Sequence, residues 1–265
     1  MSDSDLWIRD LITNYGLVLF ILLFLIIWIS HKWSDLQKSF YKSYLTGFEV
    51  ECSELASPYK KHLFEPLHHI VSSDNMLKSM GSIRVLEIGV KTGENIQFYP
   101  DNTHLIGVDR NLRLAEYLMK GSRAWQFSHV IIERLIVGDG DSMIAVPTGC
   151  VDVVVTTRSL CSVTSIQSTL REIHRVLAPG GQYLFIEHVP ENEGTFIRWL
   201  QKVLSQTGIW PSFFGGCHLD ADPIIDIKNA GFDRVTWDTI TLEGYVSQPF
   251  HLTLSRQHIL GIAVR

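Results

Sequence analysis

A chain of 265 residues, 46% of them hydrophobic, has room for one α/β domain with a real core plus an appendage. Its formal charge of -5 and the lack of a basic stripe interleaved with aromatics disfavour polynucleotide substrates. Cys52, Cys150, Cys161 and Cys217 are scattered without CxxC spacing, which suits a reducing compartment and argues against a disulfide framework or zinc, so no metal is expected.

The first element predicted is apolar. Leu11 to Ser30 carries no charge for about twenty residues, the length needed to cross a hydrocarbon core, so residues 1–33 read as an uncleaved membrane anchor. Asp3, Asp5 and Asp10 precede it, nothing like a small-residue cleavage site follows, and Trp28 and Trp33 suit an interfacial belt. Lys32, Lys38 and Lys42 on the far side place the rest of the chain in the cytosol by the positive-inside rule. Residues 34–80 follow as a helical cap or linker, with Phe40, Tyr41, Tyr44, Phe48, Leu63, Phe64 and Leu67 at roughly helical spacing and a break near Pro58. The stripe fits a cap over a ligand and a linker packed on a sheet edge equally well.

Residues 81–265 read as one domain, organised around IRVLEIGVKTGENIQFYP at 83–100. Ile83, Val85, Leu86 and Ile88 predict a strand, Gly89 and Gly93 a turn, and the residues after Gly93 a helix. Such a unit aims free backbone N–H groups at an anionic or nucleotide-like ligand. A second strand from Thr103 ends in Asp109, about twenty residues on, where doubly wound folds place a carboxylate against ribose hydroxyls. The order Glu87-x-Gly89-x-Lys91-x-Gly93 is not the GxGxxG of nicotinamide enzymes. It resembles motif I, ExGxGxG, of class I S-adenosylmethionine-dependent methyltransferases, with Lys91 in place of the middle glycine. A lysine there keeps the loop's path if its φ is negative, crowds the methionine end of the cofactor, and brings an ammonium that either pairs with a carboxylate or repels the sulfonium.

Leu112 to Lys120 predicts a helix and Val130 to Val137 a third strand, followed by GDGDSM. In the methyltransferases it resembles, an acid after this strand meets the adenine amino group; Asp139 holds that position and Asp141 is its neighbour. Val151 to Val155 is a buried strand, and Thr156 to Leu160 should lie under a ligand at its carboxyl end. Arg158 is read as reaching outward to water, and Cys161 as a small buried hydrophobe. Ser165 to Leu177 predicts a helix, stopped by Pro179-Gly180-Gly181 before a strand, Gln182 to Val189, that contains Glu187 and His188. An insert at about 191–218 concentrates Trp199, Trp210, Phe213 and Phe214 and reads as an aromatic lid. A helix over Asp222 to Ala230 precedes two strands, Phe232 to Thr239 and Gln257 to Val264, expected as an antiparallel edge pair. The fold class is α/β, a Rossmann-like class I methyltransferase sheet of seven strands with the last antiparallel, behind an N-terminal membrane helix.

The apolar N-terminus, the EIG loop followed by FYP, VDVVV with SLCSV, VLAPGG, FIEHV and the late Gly216-Cys217 pair together resemble the methyltransferase-like 7 family of membrane-associated thiol methyltransferases. The resemblance implies S-adenosyl-L-methionine as cofactor, a small lipophilic or alkyl thiol as acceptor, and residence on the endoplasmic-reticulum membrane or lipid droplets. It also implies roles: Glu87, Gly89 and Gly93 at the methionine moiety, Asp109 at the ribose, Asp139 at the adenine, and Glu187 and His188 orienting or deprotonating the thiol. An oxygen- or nitrogen-methylating enzyme for a lipophilic substrate shares every cofactor residue, and Lys91 leaves a noncatalytic membrane-bound scaffold as a further alternative.

Overall fold

The structure is a computed structural model and describes residues 3–112, 118 and 127–265. Alternation along the strands sets the core. On β1 (Arg84–Ile88), β4 (Val151–Thr157) and β5 (Leu177–His188), Val85, Val153, Val155, Leu184 and Ile186 pack on one face, while Leu86, Ile88, Val154, Tyr183 and Phe185 pack on the other. Both faces being buried explains why these strands read as nearly continuous apolar runs.

With β2 (Thr103–Asp109), β3 (Val130–Val137), β6 (Arg234–Thr241) and β7 (Gln257–Val264), they form a seven-stranded sheet in the order β3-β2-β1-β4-β5-β7-β6, with β7 antiparallel to both its neighbours. The chain order reverses between β1 and β4, so the carboxyl ends of β1, β2 and β4 enclose a crevice. The fold class and the antiparallel edge pair are as expected from the sequence.

The helical layer departs from expectation in its boundaries. One helix, α1, runs unbroken over Asp3–Thr46, through the anchor and past residue 33. The breaks come at Gly47 and Ala56, giving α2 (Phe48–Leu55) and α3 (Ser57–Phe64). Pro58 sits in the first turn of α3, where its missing N–H costs nothing. A short helix α4 (Asn75–Ser79) then leads into the sheet. Buried Asp152 secures this passage by accepting hydrogen bonds from Ser72 Oγ (2.7 Å), Ser73 N (2.8 Å) and Arg84 N (2.8 Å). Tyr44, Leu45, Phe48 and Cys52 form a separate cluster with Leu242, Val246 and Leu252, so the cap packs on the sheet's last crossover.

The predicted helix after Gly93 does not form. Only a single 3₁₀ turn, Ile96–Phe98, lies between the glycine loop and β2. Pro100 is the reason: it holds Tyr99 extended (φ -76°, ψ 145°) and leaves too few residues for an α-helix. The segment expected as the Leu112–Lys120 helix lies largely outside the described residues. Helix α5 (Ile166–Val176) starts on a Ser165 cap, as its sequence signals. Pro179-Gly180-Gly181 turns out to be a bulge inside β5, since pairing with β4 jumps from Val151↔Leu177 to Val153↔Gln182.

Candidate active site

At the crevice a cavity of about 550 Å3 is walled by Gly89 and Lys91 after β1, Asp109 and Arg110 after β2, and Asp139 and Gly140 after β3. Arg158, Ser159 and Ser162 after β4 form its floor, and Tyr41 of α1 with Gly215 closes one side. Gly89 has φ +75° and no room for a side chain, as a Cβ there would stand 2.2 Å from Ser159 Oγ. Gly93, also expected at the ligand, does not line the cavity. A Cβ on it would meet Leu118 Cδ2 at 2.8 Å and Phe127 Cζ at 2.9 Å, so its requirement is core packing together with a left-handed φ of +85°.

The two carboxylates predicted after β2 and β3 both face the cavity. Asp109 accepts from the backbone N–H of Lys91 (Oδ2, 2.8 Å) and of Asn111 (Oδ1, 2.8 Å), fixing the carboxylate and the glycine loop to each other. Asp139 Oδ2 accepts from Arg110 Nε (3.1 Å), Arg110 Nη2, Thr164 N (3.0 Å) and Thr164 Oγ1 (2.8 Å). Burial alone would raise its pKa, but the Arg110 and Thr164 bonds hold it below the usual range. Among the described residues these bonds all fall on Oδ2, which leaves Oδ1 for a ligand. Asp141 does not line the cavity.

Glu87 is placed elsewhere. It is buried behind the loop beside a small space of about 30 Å3, accepting from Asn95 Nδ2 (2.8 Å) and Tyr99 Oη (2.6 Å), and burial pushes its carboxyl up to about 7. Glu187 and His188 do not line the cavity either. Glu187 Oε2 accepts from the N–H groups of Ser159 (2.8 Å) and Leu160 (3.1 Å), so it holds the turn that forms the cavity floor from beneath. His188 is buried with its Nε2 3.3 Å from Cys217 Sγ.

Lys91 has φ +54°, the opposite sign to the one expected for a lysine here. Its side chain leaves the cavity for α2, where Nζ lies 2.6 Å from Glu49 Oε2 and also reaches the carbonyls of Arg158 (3.2 Å) and Thr157 (3.4 Å). Arg158, expected to reach outward, is instead buried: Nε lies 3.1 Å from Glu49 Oε1 and Nη1 donates to His258 Nε2 (2.8 Å). His258 Nδ1 in turn donates to the Arg256 carbonyl (2.9 Å), which fixes its neutral tautomer. Burial would raise the Glu49 pKa, yet the two cations hold it far below the carboxylate range. Sequence reading missed Glu49 because its partners lie 42 and 109 residues away.

The aromatic insert forms helices α6 (Phe196–Gln206) and α7 (Ile209–Phe213). Trp210 and Phe214 pack against each other (4.2 Å between centroids) and on His251, so they are core rather than cavity wall. The insert reaches the cavity through Gly215, where a Cβ would stand 2.5 Å from the Tyr41 ring. The expected lid is thus a backbone edge with an aromatic support. Cys161 and Cys217, which share no sequence motif, come together with His188: the three ligand atoms lie within 4.8 Å of one another.

Residues 86–185 match a family described as a methyltransferase domain. The chain is 32% identical over 233 residues to the thiol S-methyltransferase TMT1A of Homo sapiens, covering 88% of this chain and 89% of that one. It is 31% identical over the same span to the thiol S-methyltransferase TMT1B of Rattus norvegicus. Among solved structures, geranyl diphosphate C-methyltransferase from Streptomyces coelicolor A3(2), in complex with Mg2+, geranyl diphosphate and S-adenosyl-L-homocysteine, superposes with a TM-score of 0.54 at 14% identity, covering 79% of this chain and 80% of that one. The [4+2]-cyclase SpnF gives 0.53 at 17% identity, covering 77% and 80%. At these identities the two structures speak to the fold.

Proposed function

The chain belongs to the family of thiol S-methyltransferases that includes TMT1A and TMT1B, and from that premise we propose that it methylates the sulfur of a small lipophilic thiol at a membrane surface. S-adenosyl-L-methionine, the cofactor, would supply an electrophilic methyl group, which passes to the thiol sulfur with S-adenosyl-L-homocysteine as the leaving thioether. The observation that carries the reading is the cavity at the carboxyl ends of β1, β2 and β4, with Asp109 and Asp139 on its wall and the Lys91 ammonium paired with Glu49. The residues fit the cofactor. Gly89 offers a bare backbone cradle, Asp109 has lone pairs that would serve ribose hydroxyls, and Asp139, whose protein bonds fall on Oδ2, would hold the adenine amino group.

A free thiol titrates near pH ~8.5, so a usable fraction is thiolate at neutrality and no strong base is required. The chain's contribution is orientation and dryness. Thiolate and sulfonium neutralise each other in the reaction, and a pocket that excludes water favours that change. Glu187 is a positioning residue in this scheme, acting through the Ser159–Leu160 turn. Lys91 no longer supports a noncatalytic scaffold, since its charge is matched by Glu49.

Asp109→Ala should weaken binding of the cofactor by about 10- to 100-fold, the range for a lost charge-assisted hydrogen bond. Calorimetry with detergent-solubilised full-length protein measures this, together with transfer of labelled methyl to a simple alkyl thiol. Unchanged affinity in the variant, or methylation of phenols and amines but no thiol, would defeat the proposal. The described α1 helix is long and apolar enough to cross a membrane by length and composition. We place it in the endoplasmic-reticulum or lipid-droplet membrane with residues 34–265 on the cytosolic side, on the strength of Lys32, Lys38 and Lys42. Protection of residues 34–265 from protease added outside intact microsomes would refute that orientation.

A further inference from the structure

We propose that Cys161, His188 and Cys217 bind one thiophilic divalent cation, zinc by the chemistry of the donor set. The three come from separate places: Cys161 from the turn after β4, His188 from the last residue of β5, and Cys217 from the loop after α7. All three are buried, and their ligand atoms lie within 4.8 Å of one another, with His188 Nε2 3.3 Å from Cys217 Sγ. Around a tetrahedral zinc with bonds of about 2.0–2.3 Å, neighbouring donors stand about 3.5–3.8 Å apart, so only small side-chain movements are needed. Two thiolates and one imidazole suit zinc and disfavour magnesium or calcium, which take oxygen ligands.

A second observation points the same way. The His188 ring is buried, yet the polar partners of its Nε2 among the described residues are the sulfurs of Cys217 and Cys161, both weak; Nδ1 has none. A cation on Nε2 replaces these weak contacts with a ligand bond, leaving the proton on Nδ1. Nor is the cluster sealed off: Cys161 also lines a groove of about 390 Å3 with Thr164 and His218.

Such an ion would clamp the wall of the cofactor cavity. Ser159 and Ser162 flank Cys161, and Gly215 lies two residues before Cys217; all three line that cavity. Three protein ligands leave one position of the tetrahedron for a water or another small donor. The inference does not depend on the acceptor being a thiol.

The test uses full-length protein in detergent, zinc-loaded and then dialysed, with metal measured by mass spectrometry. About one zinc per chain is expected, lost in Cys217→Ala and in His188→Ala and retained in Cys52→Ser and Cys150→Ser. Cobalt in place of zinc should give thiolate-to-metal charge-transfer absorption in the wild type. Cys217→His, which keeps a donor, should retain the metal with weaker charge transfer, and this separates loss of a ligand from loss of the fold. The inference is overturned if the folded wild type holds no zinc, if Cys217→Ala and His188→Ala hold as much as the wild type, or if Cys161 and Cys217 are recovered as a disulfide under reducing purification.

Discussion

Glu49 stands between buried Arg158 and half-buried Lys91, and removing it leaves both cations uncompensated. Its two oxygens serve Lys91 and Arg158 separately, and Tyr44 donates a third hydrogen bond to Oε1. Breaking a buried pair from one side typically costs about 3–5 kcal/mol, because the partner's desolvation remains and its Coulomb attraction is lost. Glu49→Ala should therefore lower unfolding free energy by about that much in urea titrations, with cofactor affinity falling as the Lys91 loop loosens. Lys91→Gly should cost far less, since it also relieves a left-handed φ of +54° that glycine adopts freely. Equal losses in the two variants would show that the network is not the balance described. Glu87 offers a different signature. Burial sets its folded pKa at about 7 against about 4.3 in an unfolded chain, so the folded protein retains a proton there that the unfolded chain has released. Stability contributed by this group is full below pH ~4.3 and falls as pH rises through about 7, by roughly 4 kcal/mol at most. Glu87→Gln removes the ionisation, and the Tyr99 hydroxyl can turn to accept from the amide. The variant should gain on the wild type between pH 5 and about 7.5 in urea titrations, a window that keeps Lys60, lowered to about 8 by burial, largely protonated. A stability difference that does not change with pH would mean that Glu87 is ionised throughout.

At the scale of elements, what was legible in the sequence was what local pattern controls. The strands follow from runs of β-branched residues, and Asp109 and Asp139 could be placed because each lies at or just beyond a strand's carboxyl end. The Ser165 cap of α5 was equally readable, since its side chain accepts from Ser168 N within three residues. The helix after the glycine loop was misjudged for a local reason too: Pro100 outweighs the propensity of the preceding residues. Gly89 and Gly93 look alike in sequence, yet one approaches Ser159 at the cavity and the other Leu118 and Phe127 in the core. Nothing in a spacing rule separates those demands, because the tightest contacts, with Ser159, Leu118 and Phe127, come from residues 25 or more positions away. The same holds for the Glu49, Lys91 and Arg158 network and for the gathering of Cys161, His188 and Cys217. These sites are assembled by the order of the sheet, which brings the ends of β1, β4 and β5 side by side and lays the cap and insert over them.

Over the whole molecule, one helix links the apolar N-terminal segment to the cavity. At 1.5 Å per residue, the 44 residues of α1 extend for about 66 Å, roughly twice a hydrocarbon core. Its apolar stretch is exposed from Leu17 to Trp28, whereas Tyr41 walls the cavity and Tyr44 and Leu45 are buried in the domain. Phe213 of the insert meets both Trp33 (5.1 Å) and Phe40 (5.5 Å) edge-on, so the insert rests on the same helix just beyond its apolar part. Cavity wall, insert and apolar segment therefore meet on one helix. Truncation tests this directly. A chain beginning at residue 32 keeps Trp33, Tyr41, Phe48 and Glu49, and should be soluble without detergent and bind the cofactor within about threefold of the full chain. A chain beginning at residue 50 loses the cavity wall and leaves half-buried Lys91 and buried Arg158 without Glu49, a cost of several kcal/mol against a total stability of about 5–15. It should accumulate as aggregate and bind no cofactor. Calorimetry on both proteins decides the matter: tight binding by the shorter one would mean that the helix is a tether alone, with no part in building the site.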